Sequence, residues 1–242
     1  MVRTPLYKEV KGKIVQSLID SEWRPGELIP NEKQLAQRFG VAISTIRAAI
    51  GELVAAGVLV RIQGKGTLVT HHDEIRNAYR FFNLYQHNGT KATFYRDLLR
   101  ISRESPTPEI AARLKLTDPD AQIYRLRVRI SAQGGPIAMA DLSVPEEVFP
   151  DLEHKIDVDG NTSLYALFQT AYNVNVIHVV EGLTAAKANA LLAKTIGVKA
   201  GEPLLRVDRT AFTFNQRPVE TRTTWIHTKH HRYLVDRGDE RH

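Results

Sequence analysis

The sequence predicts an α+β protein of two units: a small helical N-terminal unit closed by a basic β-hairpin, and a larger C-terminal unit built on an antiparallel sheet. Three observations predict it. Apolar residues over the first 55 positions recur at helical spacing. From residue 91 they recur mostly at strand spacing, with clean alternation over Tyr124–Ile130. Turn signals punctuate both regions at Pro25-Gly26, Gln63-Gly64-Lys65-Gly66 and Gln133-Gly134-Gly135-Pro136.

Composition narrows the function. The chain has 242 residues, enough for sizeable cores in one or two domains. It has no cysteine, which excludes a disulfide framework, a thiolate nucleophile and a zinc ribbon. No apolar run approaches the roughly 18–20 residues of a membrane helix. The stretch from Met1 to Lys13 is too polar for the core of a signal peptide, so the expected location is the cytoplasm, without membrane contact. Net charge is +6, and its distribution is uneven: residues 1–70 carry ten Lys/Arg against six Asp/Glu, the remainder 23 against 21. The excess sits in the short N-terminal part, as expected of a unit that touches phosphates.

In that unit Leu6, Val10, Ile14 and Leu18 form one helical stripe, and Trp23-Arg24-Pro25-Gly26 breaks the helix. A second helix starts after Asn31, which with Gln34 makes a capping box; Leu35, Ala36 and Phe39 form its inner face and Gly40 ends it. A third helix follows within two or three residues. Its Ile46, Ile50 and Leu53 face inward, Ser44, Arg47 and Ala48 face outward, and Gly57 ends it. Residues 58–60 and 67–69 read as two short strands around Gln63-Gly64-Lys65-Gly66. This is the layout of a winged helix-turn-helix, in which the third helix enters the major groove of double-stranded DNA and the hairpin touches the backbone or minor groove. A helical protein-docking domain with a surface lysine is the alternative.

The run Leu6-Tyr7, Pro25-Gly26, Ile29-Pro30-Asn31-Glu32, Leu35-Ala36, Gly40-Val41, Thr45-Ile46-Arg47, Ala49-Ile50, Leu53, Gly57 and Gln63-Gly64-Lys65-Gly66-Thr67 resembles the DNA-binding domain of GntR-type bacterial transcription regulators. The resemblance implies DNA contacts from Tyr7, Asn31, Lys33, Ile43, Ser44, Thr45, Arg47, Gln63, Gly64, Lys65, Gly66 and Thr67. One departure stands out. The family usually has Ser-Arg after the valine of the turn, where this chain has Ala42-Ile43. Ser44 is then expected to take over the capping and shift the helix start, and Ile43 to meet a thymine methyl or to pack.

Residues 73–90 read as a linker with a short helix between a domain over 1–72 and one over 91–242. His71-His72 is a possible metal pair, without a third ligand at helical spacing. Residues 92–103 read as a strand, Thr107-Pro108 as the start of a helix to 115, and 137–144 as the hairpin partner of Tyr124–Ile130. Ser163 opens a helix, 174–182 is a strand, Thr184 caps a helix to about 195, and 203–214 with 217–227 form a final hairpin across Asn215-Gln216. The order Arg127-Val128-Arg129-Ile130 before Pro136, Ser163-Leu164-Tyr165, Pro203-Leu204-Leu205-Arg206 and Arg217-Pro218-Val219-Glu220 resembles UTRA, the effector-binding domain of the HutC-like branch of GntR regulators, whose fold is similar to chorismate lyase.

That resemblance implies effector contacts from Thr93, Arg127, Arg129, Ser163, Tyr165 and Glu220. The residues themselves leave alternatives. Arg125, Arg127 and Arg129 share one strand face and are either a clamp for a carboxylate or phosphate or a solvated basic face. Glu220 either faces the ligand or pairs across strands with an arginine. The family often has a Glu where Ala140 stands, which weakens a sugar-phosphate assignment. His227, His230 and His231 are expected to be exposed rather than metal-binding. The resulting expectation is a homodimeric repressor on a near-palindromic operator, modulated by a small anionic metabolite, with no cofactor and no enzymatic role. The alternatives are a lyase-like enzyme on a DNA anchor, for which the sequence offers no catalytic spacing, and a non-specific DNA-coating protein, which would not need the large second domain.

Overall fold

A computed structural model of the chain describes residues 5–70, 83–90, 93–157 and 163–235. In the N-terminal unit α1 (Leu6–Ile19), α2 (Glu32–Phe39) and α3 (Ile43–Ala55) are followed by the wing, β1 (Leu59–Ile62) and β2 (Gly66–Val69). The local signals act as the sequence predicts. Asn31 Oδ1 accepts from the Gln34 backbone N–H and the Gln34 side chain accepts from the Asn31 N–H, both at 2.9 Å. Gly40 closes α2 in the left-handed region at φ 65°. Val10, Ile14 and Leu18 of α1 pack on Leu35, Ile46, Ile50 and Leu53. Leu6 does not join them: it is 52% exposed at the first turn of α1, outside the reach of that core.

The C-terminal unit begins with β3 (Leu84–Gln86) and β4 (Phe94–Glu104). Then come α4 (Pro108–Leu114), β5 (Ile123–Ala132), β6 (Gly135–Pro145), α5 (Leu152–Lys155) and α6 (Leu164–Tyr172). It ends with β7 (His178–Lys187), α7 (Ala190–Ile196), β8 (Pro203–Phe212), β9 (Pro218–Ile226) and β10 (His231–Tyr233). Six strands form one antiparallel sheet in the order β4-β5-β6-β9-β8-β7. Register assigns its faces. Val128, Ala140, Thr224 and Val207 lie in one row, and Arg127, Asp141, Thr223 and Asp208 in the next. The first row faces α6 through the main core, where Phe168 meets Phe149 at a centroid distance of 4.2 Å. On the other face α7 packs Leu192 and Ile196 against Met139 and Leu204.

Four expectations are corrected. Leu84–Gln86, inside the predicted linker, is a strand paired antiparallel with β10, and Leu84 is fully buried. Residues 71–82, with His71-His72 and the short helix expected there, lie outside the described residues. The strand predicted over 174–182 starts at His178 and runs to Lys187. Thr184 therefore lies mid-strand, and Asn189 caps α7 by accepting from the Leu192 N–H at 2.9 Å. His231 is buried in β10 rather than exposed.

The two units share a boundary. Phe214, at the turn between β8 and β9, is buried in the core of the N-terminal unit, with Ile177 beside it. At the far end of α6, Gln169 Nε2 donates to Thr70 O at 2.8 Å. Asn173 Nδ2 donates to Ile19 O at 3.2 Å and to Ser21 Oγ at 2.8 Å. Because the α2 capping box is intact and exposed, Asn31→Ala should lower stability by about 1 kcal/mol, measured by urea unfolding. An unchanged midpoint would show that the box contributes nothing here.

Candidate DNA interface and effector site

The third helix starts at Ile43, one position before Ser44. Ala42 stands at its N-cap with extended backbone and offers no side-chain cap; its carbonyl accepts from Thr45 at 3.0 Å and Ile46 at 3.3 Å. Ser44 therefore does not cap, contrary to expectation, because it already lies inside the first turn. Ile46, Ala49, Ile50 and Leu53 face the core, while Ile43 (42% exposed), Ser44, Arg47 and Ala48 face out and Thr45 is half-buried. Ile43 thus does not pack inward.

Glu32, the first residue of α2, organises this face. One of its oxygens accepts from Arg47 Nε at 3.0 Å and Nη2 at 2.9 Å, the other from Arg61 Nη2 of β1 at 3.2 Å. Such exposed pairs add little stability, but here they hold two guanidiniums, one from the helix and one from the wing, at a single carboxylate. The wing tip is a turn closed by Lys65 N donating to Ile62 O at 3.0 Å. Gly64 and Gly66 have φ of 76° and 122°, conformations that L side chains rarely adopt. At Gly66 a Cβ would also approach Leu28 Cδ2 to 3.2 Å. Gln63, Lys65, Lys33 and Asn31 are exposed, Thr67 is half-buried, and the Asn31 side chain is committed to its cap. Tyr7 is half-buried near the Lys11–Glu52 ion pair, where the Lys11 ammonium holds the Glu52 carboxyl below its ordinary range.

In the C-terminal unit the structure brings Tyr165 and Glu220 together and leaves Arg127, Arg129 and Thr93 elsewhere. Ser163 caps α6, its Oγ accepting from the Ala166 N–H at 3.1 Å. Two residues on, the buried Tyr165 hydroxyl donates to Glu220 Oε1 at 3.2 Å. Glu220 has no exposed surface and accepts from Arg222 Nε at 3.0 Å and Nη2 at 2.7 Å. The Arg222 guanidinium stands 5.7 Å from the Tyr165 ring centroid. Burial, with the Glu220 carboxylate reinforcing it, pushes the Tyr165 hydroxyl up to about 12. Beside this lies a second buried pair: Arg209 Nε donates to Glu181 Oε1 at 2.7 Å, and the Tyr233 hydroxyl donates to Oε2 at 2.6 Å.

Arg125, Arg127 and Arg129 sit on the opposite face, because strand alternation gives the α6 side to Leu126, Val128 and Ile130. Arg127 makes a bidentate pair with Asp141, both contacts 2.7 Å; Arg129 pairs with Asp97 at 3.0 Å, and Arg125 with Glu104 at 3.3 Å. Thr93 is exposed just before β4, at the Ala132–Gly135 end of the sheet, whereas Glu220 lies towards the other end. Sequence reasoning missed Arg96, Arg209 and Arg222, all on the α6 side. The signal was legible for two of them: Arg96 lies between Phe94 and Leu98, and Arg209 between Val207 and Ala211, each a lone cation in the apolar phase of its strand, whereas Arg222 shares its phase with Glu220 and Thr224. Among the described residues no three His, Cys, Asp or Glu side chains gather where they could hold a metal ion.

A winged helix with an exposed reading helix, joined to a sheet domain with a buried polar centre, defines the class of two-domain transcription regulators. Residues 6–69 match the model of bacterial regulatory proteins of the gntR family, and residues 94–232 match the UTRA domain. The chain is 30% identical over 221 residues to the Escherichia coli K12 protein named "Probable fructoselysine utilization operon transcriptional repressor", covering 88% of this chain and 87% of that one. It is 29% identical over 227 residues to the histidine utilization repressor of Pseudomonas aeruginosa, covering 93% and 88%. Among solved structures, the ligand-binding domain of a GntR-family regulator from Bordetella bronchiseptica superposes with a TM-score of 0.59 at 27% identity, covering 64% of this chain and 96% of that one. PhnF from Mycobacterium smegmatis, at 21% identity, shares the fold over 95% of this chain with a TM-score of 0.57. The chain belongs to the GntR family of transcription regulators, in the group that carries a UTRA domain; the family binds DNA and responds to small molecules, and its members are regulators rather than enzymes.

The two kinds of ion pair should separate on mutation. Glu220→Ala strands the buried Arg222 guanidinium and should cost about 3–5 kcal/mol. Asp97→Ala, at an exposed pair, should cost under about 1 kcal/mol. Equal losses on urea unfolding would refute the assignment of the two faces.

Proposed function

We propose that the chain is a repressor that binds a near-palindromic operator as a homodimer and is controlled by a small anionic metabolite. The observation that carries the DNA half is the exposed row Ile43, Ser44 and Arg47 at the start of α3, with Arg47 and Arg61 both oriented by Glu32. Arg47 reads a base edge, Lys65 contacts a phosphate, and Ile43, which offers only apolar contact, meets a thymine methyl. Two such units related by a two-fold axis match two half-sites.

The effector half rests on α6. Its first residues carry Ser163 and Tyr165, and its last turn holds the N-terminal unit through Gln169 and Asn173. An effector that binds better to one placement of α6 shifts DNA affinity by its differential affinity for the two placements. Support for an anion is the set of three guanidiniums on the α6 side of the sheet, Arg96, Arg209 and Arg222; at the last two an anion would compete with Glu181 and Glu220.

Duplex selected from a random library provides the DNA test. Arg47→Ala should weaken binding by about 1–3 kcal/mol, and Lys65→Ala should weaken all sequences and reduce the salt slope by about 1. Unchanged binding in both variants, measured by fluorescence anisotropy, would overturn the assigned contacts. For the effector, thermal unfolding against a panel of small carboxylates and phosphates should reveal a stabilising anion, worth about 2.7 kcal/mol at 100 times its dissociation constant. That shift should vanish in Tyr165→Phe and survive in Arg127→Ala. The reverse pattern would move the site to the outer sheet face, and no shift with any anion would retire an anionic effector.

A further inference from the structure

The covalent connection does not fix where the winged unit sits on the sheet domain. Residues 71–82 join Thr70 to Asn83, and a chain of that length can reach about 40 Å. Contacts must therefore set the placement. Gln169 and Asn173 hold the ends of β2 and α1 by hydrogen bonds, which exchange with water at small net gain. Phe214 differs in kind. It is 6% exposed, seated among the apolar side chains of the winged unit, and apolar burial offers water no such exchange. The turn that presents it is tightly specified. Thr213 N donates to Arg217 O at 2.9 Å and Arg217 N to Phe214 O at 3.3 Å, and between them Asn215 and Gln216 both stand at φ 57°. Two left-handed residues in succession suit a tight hairpin tip, where glycine usually takes the second place. Glutamine there is strained, and such strain persists where surrounding contacts hold it. The same hairpin carries Glu220, opposite Ala211, three residues before Phe214. In this arrangement Ile43, Arg47 and Lys65 all stay exposed, so the reading face is open to DNA.

We propose that the Phe214 seat determines which separation between operator half-sites the protein accepts. The proposal rests on the homodimer reading above. With each winged unit seated on its own sheet domain, the two reading helices stand at one distance and one angle. Each base pair inserted between the half-sites moves the second by about 3.4 Å and turns it by roughly 35° about the duplex. A seated pair cannot follow that displacement. A pair released from the seat can, within the reach of residues 71–82. Phe214 thus acts on operator choice without touching DNA: Arg47 and its neighbours read each half-site, and the seat reads the gap between them.

The full-length chain and a duplex selected from a random library provide the test. Anisotropy is measured on that duplex, on versions with one, two or five base pairs inserted between its half-sites, and on a single half-site. The unmodified chain should lose about a hundredfold in affinity when two base pairs are inserted, as two-point attachment is lost. Phe214→Ala should bind all spacings alike, and the single half-site as tightly as the unmodified chain does. Asn173→Gly keeps the left-handed backbone and removes the side chain that bridges to Ile19 and Ser21, without entering the winged core. It should flatten the same profile in part, and its profile decides the matter if Phe214→Ala does not fold. If the unmodified chain binds the full duplex no tighter than one half-site, the homodimer reading fails and the spacing proposal with it. A flat profile in the unmodified chain, or a steep one in the deciding variant, overturns the spacing proposal alone. So does a loss of single half-site affinity that accounts for the whole effect of Phe214→Ala.

Discussion

A carboxylate with no exposed surface, set in the apolar face of a sheet, constrains everything around it. A carboxylate buried there needs a cation and a further donor, and Glu220 has both in Arg222 and the Tyr165 hydroxyl. The cation comes from the same strand two residues on, so it asks nothing of the rest of the fold. The hydroxyl comes from α6, and therefore fixes where that helix lies on the sheet. From that anchor the helix runs to the N-terminal unit, where Gln169 and Asn173 take hold of Thr70, Ile19 and Ser21. A buried charge in one domain thus sets the position of the element that holds the other.

Glu32 has the corresponding role on the DNA face, though by orientation rather than burial. It joins the recognition helix to the wing through two exposed arginines. DNA phosphates would compete for the same guanidiniums, so the carboxylate both preorganises them and opposes indiscriminate attachment. Ala42 and Ile43, where the family usually has Ser-Arg, remove a side-chain cap and a cation from the same face. In the proposed contact with DNA, this face would offer shape and apolar base contact in place of the cap and the cation of a Ser-Arg start.

What the sequence made legible was local. The Asn31–Gln34 box, the Thr107 and Ser163 caps and the two-glycine wing all depend on residues within four positions of one another, and each is present. What it hid depended on distant partners. Leu84–Gln86 is a strand only because His231–Tyr233 lies beside it. Thr184 and Asn189 are both cap residues by type, and the decision between them came from ten residues of pairing with β8. The site was half legible for the same reason. Tyr165 and Glu220 came from motif order, and they do meet. The arginine row at 125, 127 and 129 was the most conspicuous cationic feature, yet its phase faces away from α6, where acids opposite neutralise it. Arg96 and Arg209 were quieter, each a single buried cation where an apolar residue belongs.

Phe214 carries a consequence for temperature. The side chain belongs by sequence to the sheet domain and by packing to the winged unit, so the junction is held partly by an apolar plug. Any rearrangement that withdraws the plug exposes apolar surface to water, and so carries a positive heat-capacity change. Apolar association weakens on cooling, whereas the polar contacts of Gln169 and Asn173 have no such dependence built into them. The apolar part of the junction therefore loses strength in the cold, while its hydrogen bonds do not.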